Sequence, residues 1–153
     1  MPSHSESRVV PYTADLMYSI VADVERYPQF VPWCADLKIL KREEVGPREI
    51  LLCETVVGFK GLRERYTSRV TLIARDRRID VEAVGGMFRK LETHWRIAPE
   101  GPDAKSCRID FSIQFEFKSR VLGAVAGGAF SLVIARMTHA FEERAKGLSP
   151  KRR

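Results

Sequence analysis

The sequence has few cysteines, and their arrangement suits neither a disulfide framework nor a zinc site. Cys34, Cys53 and Cys107 are odd in number, far apart and contain no C-x-x-C pair. This pattern indicates reduced thiols in a cytosol-like compartment. A glycine-rich phosphate loop, a dinucleotide-binding fingerprint and histidines at metal-ligand spacing are also missing. These absences disfavour metal-dependent and nucleotide-dependent enzymes.

Long apolar runs are missing as well. The longest uncharged stretch, residues 121–135, is diluted by glycines and is shorter than the roughly 18 apolar residues of a spanning helix. The first seven residues are polar and include an acid, a composition that predicts neither a signal peptide nor a transit peptide. We therefore expect a cytoplasmic protein that is peripheral at the inner membrane of a bacterium and does not cross it.

The composition is that of one globular domain. Of 153 residues, 44% are hydrophobic and 30% are charged, which is far from the signature of disorder. We expect a single domain over residues 1–148 and a basic tail over residues 149–153. The net charge of +6 arises from 26 basic against 20 acidic residues. Such an excess favours anionic membranes or RNA only weakly, and no DNA partner is predicted.

Two kinds of periodicity follow one another along the chain. Residues 8–12 predict a short strand, and Thr13 predicts the N-cap of a helix over residues 14–22. Two prolines within residues 23–34 leave room only for a short helical turn. Period-two alternation broken by turn signals then predicts about six strands, and helical spacing predicts a last helix over about residues 121–146.

These elements predict an α+β helix-grip fold, in which a curved antiparallel sheet of about six to seven strands surrounds a long C-terminal helix, with short helices after strand one. The predicted inner face of the sheet carries bulky aromatic residues, whereas the first half of the last helix is rich in glycine and alanine. Large residues facing small ones can leave a cavity. The adjacent glycines Gly127 and Gly128 indicate either a cavity wall or close helix packing, since each glycine costs about 1 kcal/mol in a helix.

Four segments of the sequence resemble coenzyme Q-binding START-domain proteins. They are residues 10–14 (VPYTA), 17–34 (MYSIVADVERYPQFVPWC), 56–70 (VVGFKGLRERYTSRV) and 140–145 (AFEERA). The resemblance implies a START/Bet v 1-like fold with a hydrophobic tunnel that holds ubiquinone or a related isoprenoid lipid. It implies a chaperone that supports respiratory electron transport and ubiquinone biosynthesis, with ubiquinone as bound ligand and no catalytic cofactor. The same family includes ribosome-association toxins, and the wider superfamily includes polyketide cyclases and aromatases.

The candidate ligand-binding residues come from the aromatic, proline-stiffened loop near residue 30, from the inner face of the sheet and from the last helix. The loop suits the mouth of a tunnel, although it equally suits a packed turn. Aromatic residues at strand spacing serve either as ligand wall or as ordinary core. The predicted site residues are Tyr27, Phe30, Pro32, Trp33, Phe59, Tyr66, Val70, Trp95, Phe111, Phe115, Val125, Ala129 and Val133.

Catalytic and metal-binding residues are not predicted. His4, His94 and His139 are expected in a tail, on an outer strand face and in the last helix, with no acid or nucleophile as partner. The strand parity of Glu54 is ambiguous, and the other strand acids alternate outward. Arg63, Arg65 and Arg69 share one predicted face, a possible stripe for RNA or anionic lipid that Glu64 and neighbouring acids dilute. A non-enzymatic carrier is the favoured hypothesis, ahead of a ribosome binder and of a polyketide cyclase with a polar, acid- or base-bearing cavity.

Overall fold

A computed structural model of the protein describes residues 3–59, 61–121, 123 and 130–148. Strands and helices in this part of the chain follow the predicted order. The strands are β1 (Ser3–Val10), β2 (Cys34–Val45), β3 (Arg48–Phe59), β4 (Leu62–Ile73), β5 (Arg78–Gly86), β6 (Phe88–Glu100) and β7 (Ser106–Phe117). The helices are α1 (Ala14–Ala22) and α2 (Phe130–Leu148), and two short 3-10 helices cover Val24–Gln29 and Ala74–Asp76.

The seven described strands form one antiparallel sheet in the order β1-β7-β6-β5-β4-β3-β2. Strands β2 to β7 follow one another as a meander, and β1 returns to pair with β7. Register shifts interrupt three of the strand pairs, and one of them places Val84 as an extra residue on β5 opposite β4. Such bulges bend a sheet. The predicted curved sheet of six to seven strands is therefore confirmed.

Alternation along the strands places one face of the sheet in the core, as predicted. In β7, Cys107, Ile109 and Phe111 are buried, whereas Arg108 between them is exposed and Asp110 is half-buried. Strands β4 and β6 follow the same pattern. The helices cover this face, since α1 contacts α2 and strands β5, β6 and β7. The core therefore lies between the sheet and the two helices.

Helix α1 begins and ends where its sequence predicts. The Thr13 side chain accepts a hydrogen bond from the Leu16 backbone N–H at 3.2 Å, which satisfies a donor of the first turn. Met17 and Val21 are fully buried on the side that faces the core. After Asp23, the predicted helical turn is present as the 3-10 helix Val24–Gln29. This compact connection brings the aromatic loop beside the sheet.

The first strand differs from the prediction. It begins at Ser3 instead of Arg8 and ends at Val10, so that Tyr12 lies in the following turn. Ser3 pairs with Gln114 of β7, and this backbone pairing makes a strand from polar residues that lack a buried face. His4, which was expected in a tail, therefore lies in β1 and is hydrogen-bonded to Glu6 at 2.9 Å.

The last helix is described over Phe130–Leu148, and its apolar stripe includes the buried residues Ile134, Met137 and Phe141. Val121 and Gly123 are helical, as the prediction of a start near residue 121 requires. The predictions for residues 124–129, including the two adjacent glycines, lie outside the described residues, as does the predicted basic tail over residues 149–153.

Gly86, at the end of β5, approaches the β4 backbone too closely for a side chain. Its φ is +100°, and a Cβ there would overlap the Tyr66 Cα and the Arg65 carbonyl oxygen. The neighbouring Gly85 has nothing within 4 Å of its Cβ position. We expect Gly86→Ala to lower the free energy of unfolding by about 2 kcal/mol or more, and Gly85→Ala to lower it far less. Urea denaturation measures both, and equal losses would contradict the close approach.

The three thiols are free and buried. Burial raises the pKa of Cys34 to about 12 and the pKa values of Cys53 and Cys107 to about 11. Since only the thiolate is nucleophilic, we expect no reaction with a disulfide reagent at pH 8 in the native state, and three reacting thiols in denaturant. Unfolded thiols ionise near pH 8.5 and folded ones do not, so the free energy of unfolding should fall as pH rises above about 9. A thiol that reacts in the native protein would contradict this burial.

Candidate ligand cavity

A cavity of about 200 Å³ lies between the inner face of the sheet and helix α2. The described part of its wall comes from strands β2 to β7, from α2 and from the segment that includes the 3-10 helix after α1. Strand alternation explains the wall, because every second residue of a strand faces the same side. In β4, for example, Glu64, Tyr66, Ser68 and Val70 all line the cavity. The sheet therefore contributes a continuous inner surface.

Two hydrophobic clusters meet at this cavity. The larger one surrounds α1 and includes buried residues of α2, whereas the smaller one contains Tyr66, Leu91 and Phe115. Phe88 and Phe117 pack on the smaller cluster, with ring centroids 5.0 Å apart. Members of both clusters line the cavity. The apolar interior is thus divided, and the space between the two clusters is suited to an apolar ligand.

One end of the larger cluster is an aromatic contact between α2 and the sheet. The Trp95 ring lies 4.4 Å from the Phe111 ring and 5.2 Å from the Phe141 ring, measured between centroids. Tyr27 meets Phe141 edge-on at 5.4 Å, and its hydroxyl donates a hydrogen bond to the Val21 carbonyl. These contacts hold α2 against the sheet on one side of the cavity.

The structure brings most of the predicted site residues together. Eight of them line the cavity: Tyr27, Trp33, Tyr66, Val70, Trp95, Phe111, Phe115 and Val133. Their positions on separate strands, the loop and α2 converge because the sheet folds over the helix. Their contact with a ligand stays a prediction.

Phe30 and Pro32 are not part of the described wall, and their contact with a ligand stays a prediction. The Phe30 ring packs edge-on against Phe141 at 5.3 Å, and the Arg144 guanidinium lies 5.1 Å from its centroid. Pro32 is exposed. The 3-10 helix between residues 24 and 29 turns Tyr27 toward the cavity and leaves Phe30 beside the end of α2. The loop therefore acts partly as the packed turn that the sequence equally allowed.

Three predicted site residues are not located by the structure. Val125 and Ala129 lie outside the described residues, and of Phe59 only the backbone at the end of β3 is described. Other wall residues were predicted as ordinary core or were not singled out, although strand parity and the apolar stripe of α2 carried the signal. These are Val24, Val31, Leu37, Cys53, Thr55, Val57, Glu64, Ser68, Val81, Met87, Phe88, Leu91, Thr93, Ile113, Phe117, Ile134, Met137 and Phe141.

Polar groups in the wall are few. Thr55, Ser68 and Thr93 are buried, and the Tyr66 hydroxyl is hydrogen-bonded with the Thr55 side chain. Burial raises the pKa of Tyr66 and that of Tyr27 well above the ordinary value, so both hydroxyls are protonated at neutral pH. The described wall contains no lysine, arginine or histidine. The cavity therefore suits a neutral, largely apolar molecule with few hydrogen-bonding groups.

Glu64 corrects one detail of the sequence analysis. Arg63, Arg65 and Arg69 are exposed on the outer face, as predicted, but Glu64 lies on the inner face and does not dilute them. Arg65 is instead paired with Glu54 at 3.6 Å, which settles the ambiguous parity of Glu54 as outward. Arg69 is likewise paired with an acid, Glu82, at 3.5 Å.

None of the histidines lines the described cavity wall. His94 lies on the outer face, as predicted, but it does have an acidic partner, because its Nδ1 lies 2.6 Å from a carboxylate oxygen of Asp80. His139 faces Glu143 along α2 at 3.9 Å.

In the part of the chain that the structure describes, no three His, Cys, Asp or Glu side chains are grouped to hold a metal ion. None of the described helices has the length and apolar character needed to cross a membrane.

Comparisons with known proteins agree with this architecture. The family described as polyketide cyclase / dehydrase and lipid transport matches residues 10–142. A START superfamily protein of Mycobacterium smegmatis has a similar solved structure, with a TM-score of 0.79 and 27% identity over 96% of this chain and 99% of that one. The predicted START-like helix-grip fold is therefore confirmed.

Two curated relatives carry different names. The coenzyme Q-binding protein COQ10 homolog B, mitochondrial, of Xenopus laevis is 39% identical over 145 residues, which are 93% of this chain and 57% of that protein. This chain thus spans little more than half of the frog protein's length. Ribosome association toxin RatA of Escherichia coli K12 is 36% identical over 146 residues, or 95% of this chain and 88% of the toxin. The resemblance to both groups is confirmed, and identity does not decide between them.

Proposed function

Because the chain belongs to the polyketide cyclase/dehydrase and lipid transport family, we propose that it is a non-enzymatic carrier of ubiquinone, held between the sheet and helix α2. The observation that carries this proposal is the apolar, aromatic cavity of about 200 Å³ that separates the two hydrophobic clusters. A relative named for coenzyme Q binding supports the choice of ligand. Such a carrier serves respiratory electron transport and ubiquinone biosynthesis as a lipid chaperone.

The physical basis of binding is the burial of apolar surface, which contributes about 25 cal/mol per Å². Small-molecule pockets commonly measure about 300–1,000 Å³. The cavity of about 200 Å³ is smaller than this, so it has room for part of ubiquinone, namely the ring and the start of the isoprenoid tail. Tyr66, Trp95 and Phe111 offer flat apolar surface to such a ring. The carrier meets the inner membrane of a bacterium transiently to load and release its lipid, as a peripheral protein of the cytoplasm.

Extraction of the purified protein tests this proposal. The chain is produced in a ubiquinone-making host, extracted with organic solvent, and the extract is analysed by mass spectrometry with ultraviolet detection. We expect ubiquinone in near-stoichiometric amount. Protein without ligand is then offered ubiquinone in vesicles and re-isolated. An empty extract in both experiments would overturn the carrier hypothesis.

A second candidate function is ribosome association that inhibits translation. The observation that favours it is the 36% identity to a ribosome association toxin over 88% of that protein. The net charge of +6 favours contact with RNA, although only weakly. Cosedimentation of the purified chain with ribosomal subunits at rising salt tests it. Binding that weakens with salt, together with inhibition of cell-free translation, would favour the toxin function over the carrier function.

A further inference from the structure

One buried donor in the cavity wall has no partner among the described residues. Trp33 lines the cavity, and its indole Nε1 is fully buried without a hydrogen-bond acceptor among the described residues. A buried N–H left unpaired is costly, and buried polar groups in native proteins are rarely unsatisfied. An acceptor oxygen on a bound molecule would satisfy this donor.

A carboxylate also lines the cavity, on the strand that pairs with the one contacting the Trp33 backbone. The Trp33 carbonyl accepts a hydrogen bond from the Gly58 backbone N–H at 3.0 Å, and the neighbouring Val57 pairs with Glu64 across strands β3 and β4. Glu64 faces inward with Tyr66, is half-buried and lines the cavity. It has no ion-pair partner in the described part of the chain. A largely apolar wall therefore offers one donor and one carboxylate, neither with a partner among the described residues, on backbone segments that are linked through residues 57 and 58.

We propose that the part of the cavity lined by Trp33 and Glu64 holds the polar ring of the ligand, and that these two residues bind a hydroquinone more tightly than the corresponding quinone. One ring oxygen accepts from Trp33 Nε1–H, and a ring hydroxyl donates to the Glu64 carboxylate. A quinone has no hydroxyl to donate and would place a carbonyl oxygen against the carboxylate, whereas charge-assisted hydrogen bonds are among the stronger ones. This inference rests on the proposed function and adds the redox form of the lipid to it.

The same surroundings disfavour other lipids. An ionised fatty acid would bring a second negative charge to Glu64, and no cationic side chain in the described wall would offset it. A pure hydrocarbon would leave the Trp33 N–H unpaired. If the hydroquinone is preferred about tenfold, the midpoint potential of the bound two-electron couple rises by about 30 mV.

The test compares the two redox forms of ubiquinone with a short isoprenoid tail. Affinities of the full chain for ubiquinone and for chemically reduced ubiquinol are measured under anaerobic conditions from tryptophan fluorescence. We expect ubiquinol to bind about tenfold more tightly, a ratio that corresponds to one charge-assisted hydrogen bond. Glu64→Gln should remove most of this preference, because an amide can donate to a quinone oxygen as well as accept from a hydroxyl. Glu54→Gln, on the outer face of β3, is the matched control and should retain the preference.

The donor is followed separately by NMR. The chain has two tryptophans, so Trp33→Phe assigns the indole N–H resonances. We expect the Trp33 indole proton to move downfield with either redox form, and Trp33→Phe to weaken the binding of both. If both forms bind equally and Glu64→Gln changes nothing, the inference is overturned while the carrier function stands. If neither form binds, the carrier function and the inference both fall.

Discussion

Val133→Trp should reduce ubiquinone binding by about 100-fold, or about 2.7 kcal/mol, because its side chain would occupy the space that the ligand needs. Val133 is half-buried on α2 and lines the cavity opposite the sheet. Filling an empty cavity creates little of the strain that overpacking causes in a filled core. The melting temperature should therefore change by only a few degrees.

Leu132→Trp is the matched control for this substitution. Leu132 precedes Val133 on the same helix, is 48% exposed and is not part of the described cavity wall. The control should bind ubiquinone as the unmodified chain does, measured by fluorescence quenching with the same ligand. Unchanged binding by Val133→Trp, with the control behaving as expected, would show that the lipid occupies another site.

Phe141→Ala should lower the free energy of unfolding by about 4 kcal/mol, the cost typical of removing a buried aromatic ring from a core. Phe141 is 3% exposed, and its ring contacts those of Tyr27, Phe30 and Trp95 at centroid distances of 5.2–5.4 Å. The substitution removes three edge-on aromatic contacts along with the apolar burial. These contacts connect α2 to the sheet and to the aromatic loop, so their loss weakens the closure of the cavity.

Urea denaturation measures this effect. Leu148→Ala on the same helix is the control, because Leu148 is 54% exposed and its loss should cost no more than about 0.5 kcal/mol. A loss below about 1.5 kcal/mol for Phe141→Ala would mean that α2 is held mainly by other contacts. The aromatic contacts of Phe141 would then not be what attaches α2 to the sheet.

Local signals in the sequence predicted the secondary structure well where a periodic pattern met a specific end signal. Helix α1 is an example, since Thr13 caps it and its apolar residues are spaced for one buried face. Strand β1 is the counterexample. Its residues Ser3 to Ser7 are polar, and they form a strand only because the backbone of β7 offers them hydrogen-bond partners. No local pattern reports that pairing.

The sequence likewise predicted only part of the candidate site, because a local pattern shows which side of a strand a residue faces but not what it meets there. Strand parity predicted the inward positions of Tyr66, Trp95 and Phe111, and all three line the cavity. Parity could equally have identified Glu64, which is two residues before Tyr66, but Glu64 was considered only as an acid that dilutes the neighbouring arginines. Phe30, which was predicted at the cavity or its mouth, packs against Phe141 of α2, and its contact with a ligand stays a prediction.

The sequence by itself determined the antiparallel meander, the capped first helix, the apolar last helix and the resemblance to coenzyme Q-binding proteins, since each of these depends on residues that are near one another in the chain. Only the tertiary structure decided which inward-facing residues line the cavity and which are packed in the core. It placed Glu64 in the wall of the same cavity as Trp33, whose indole N–H has no acceptor among the described residues. Those features depend on the distance between separate strands and the helix, which neither periodicity nor composition encodes.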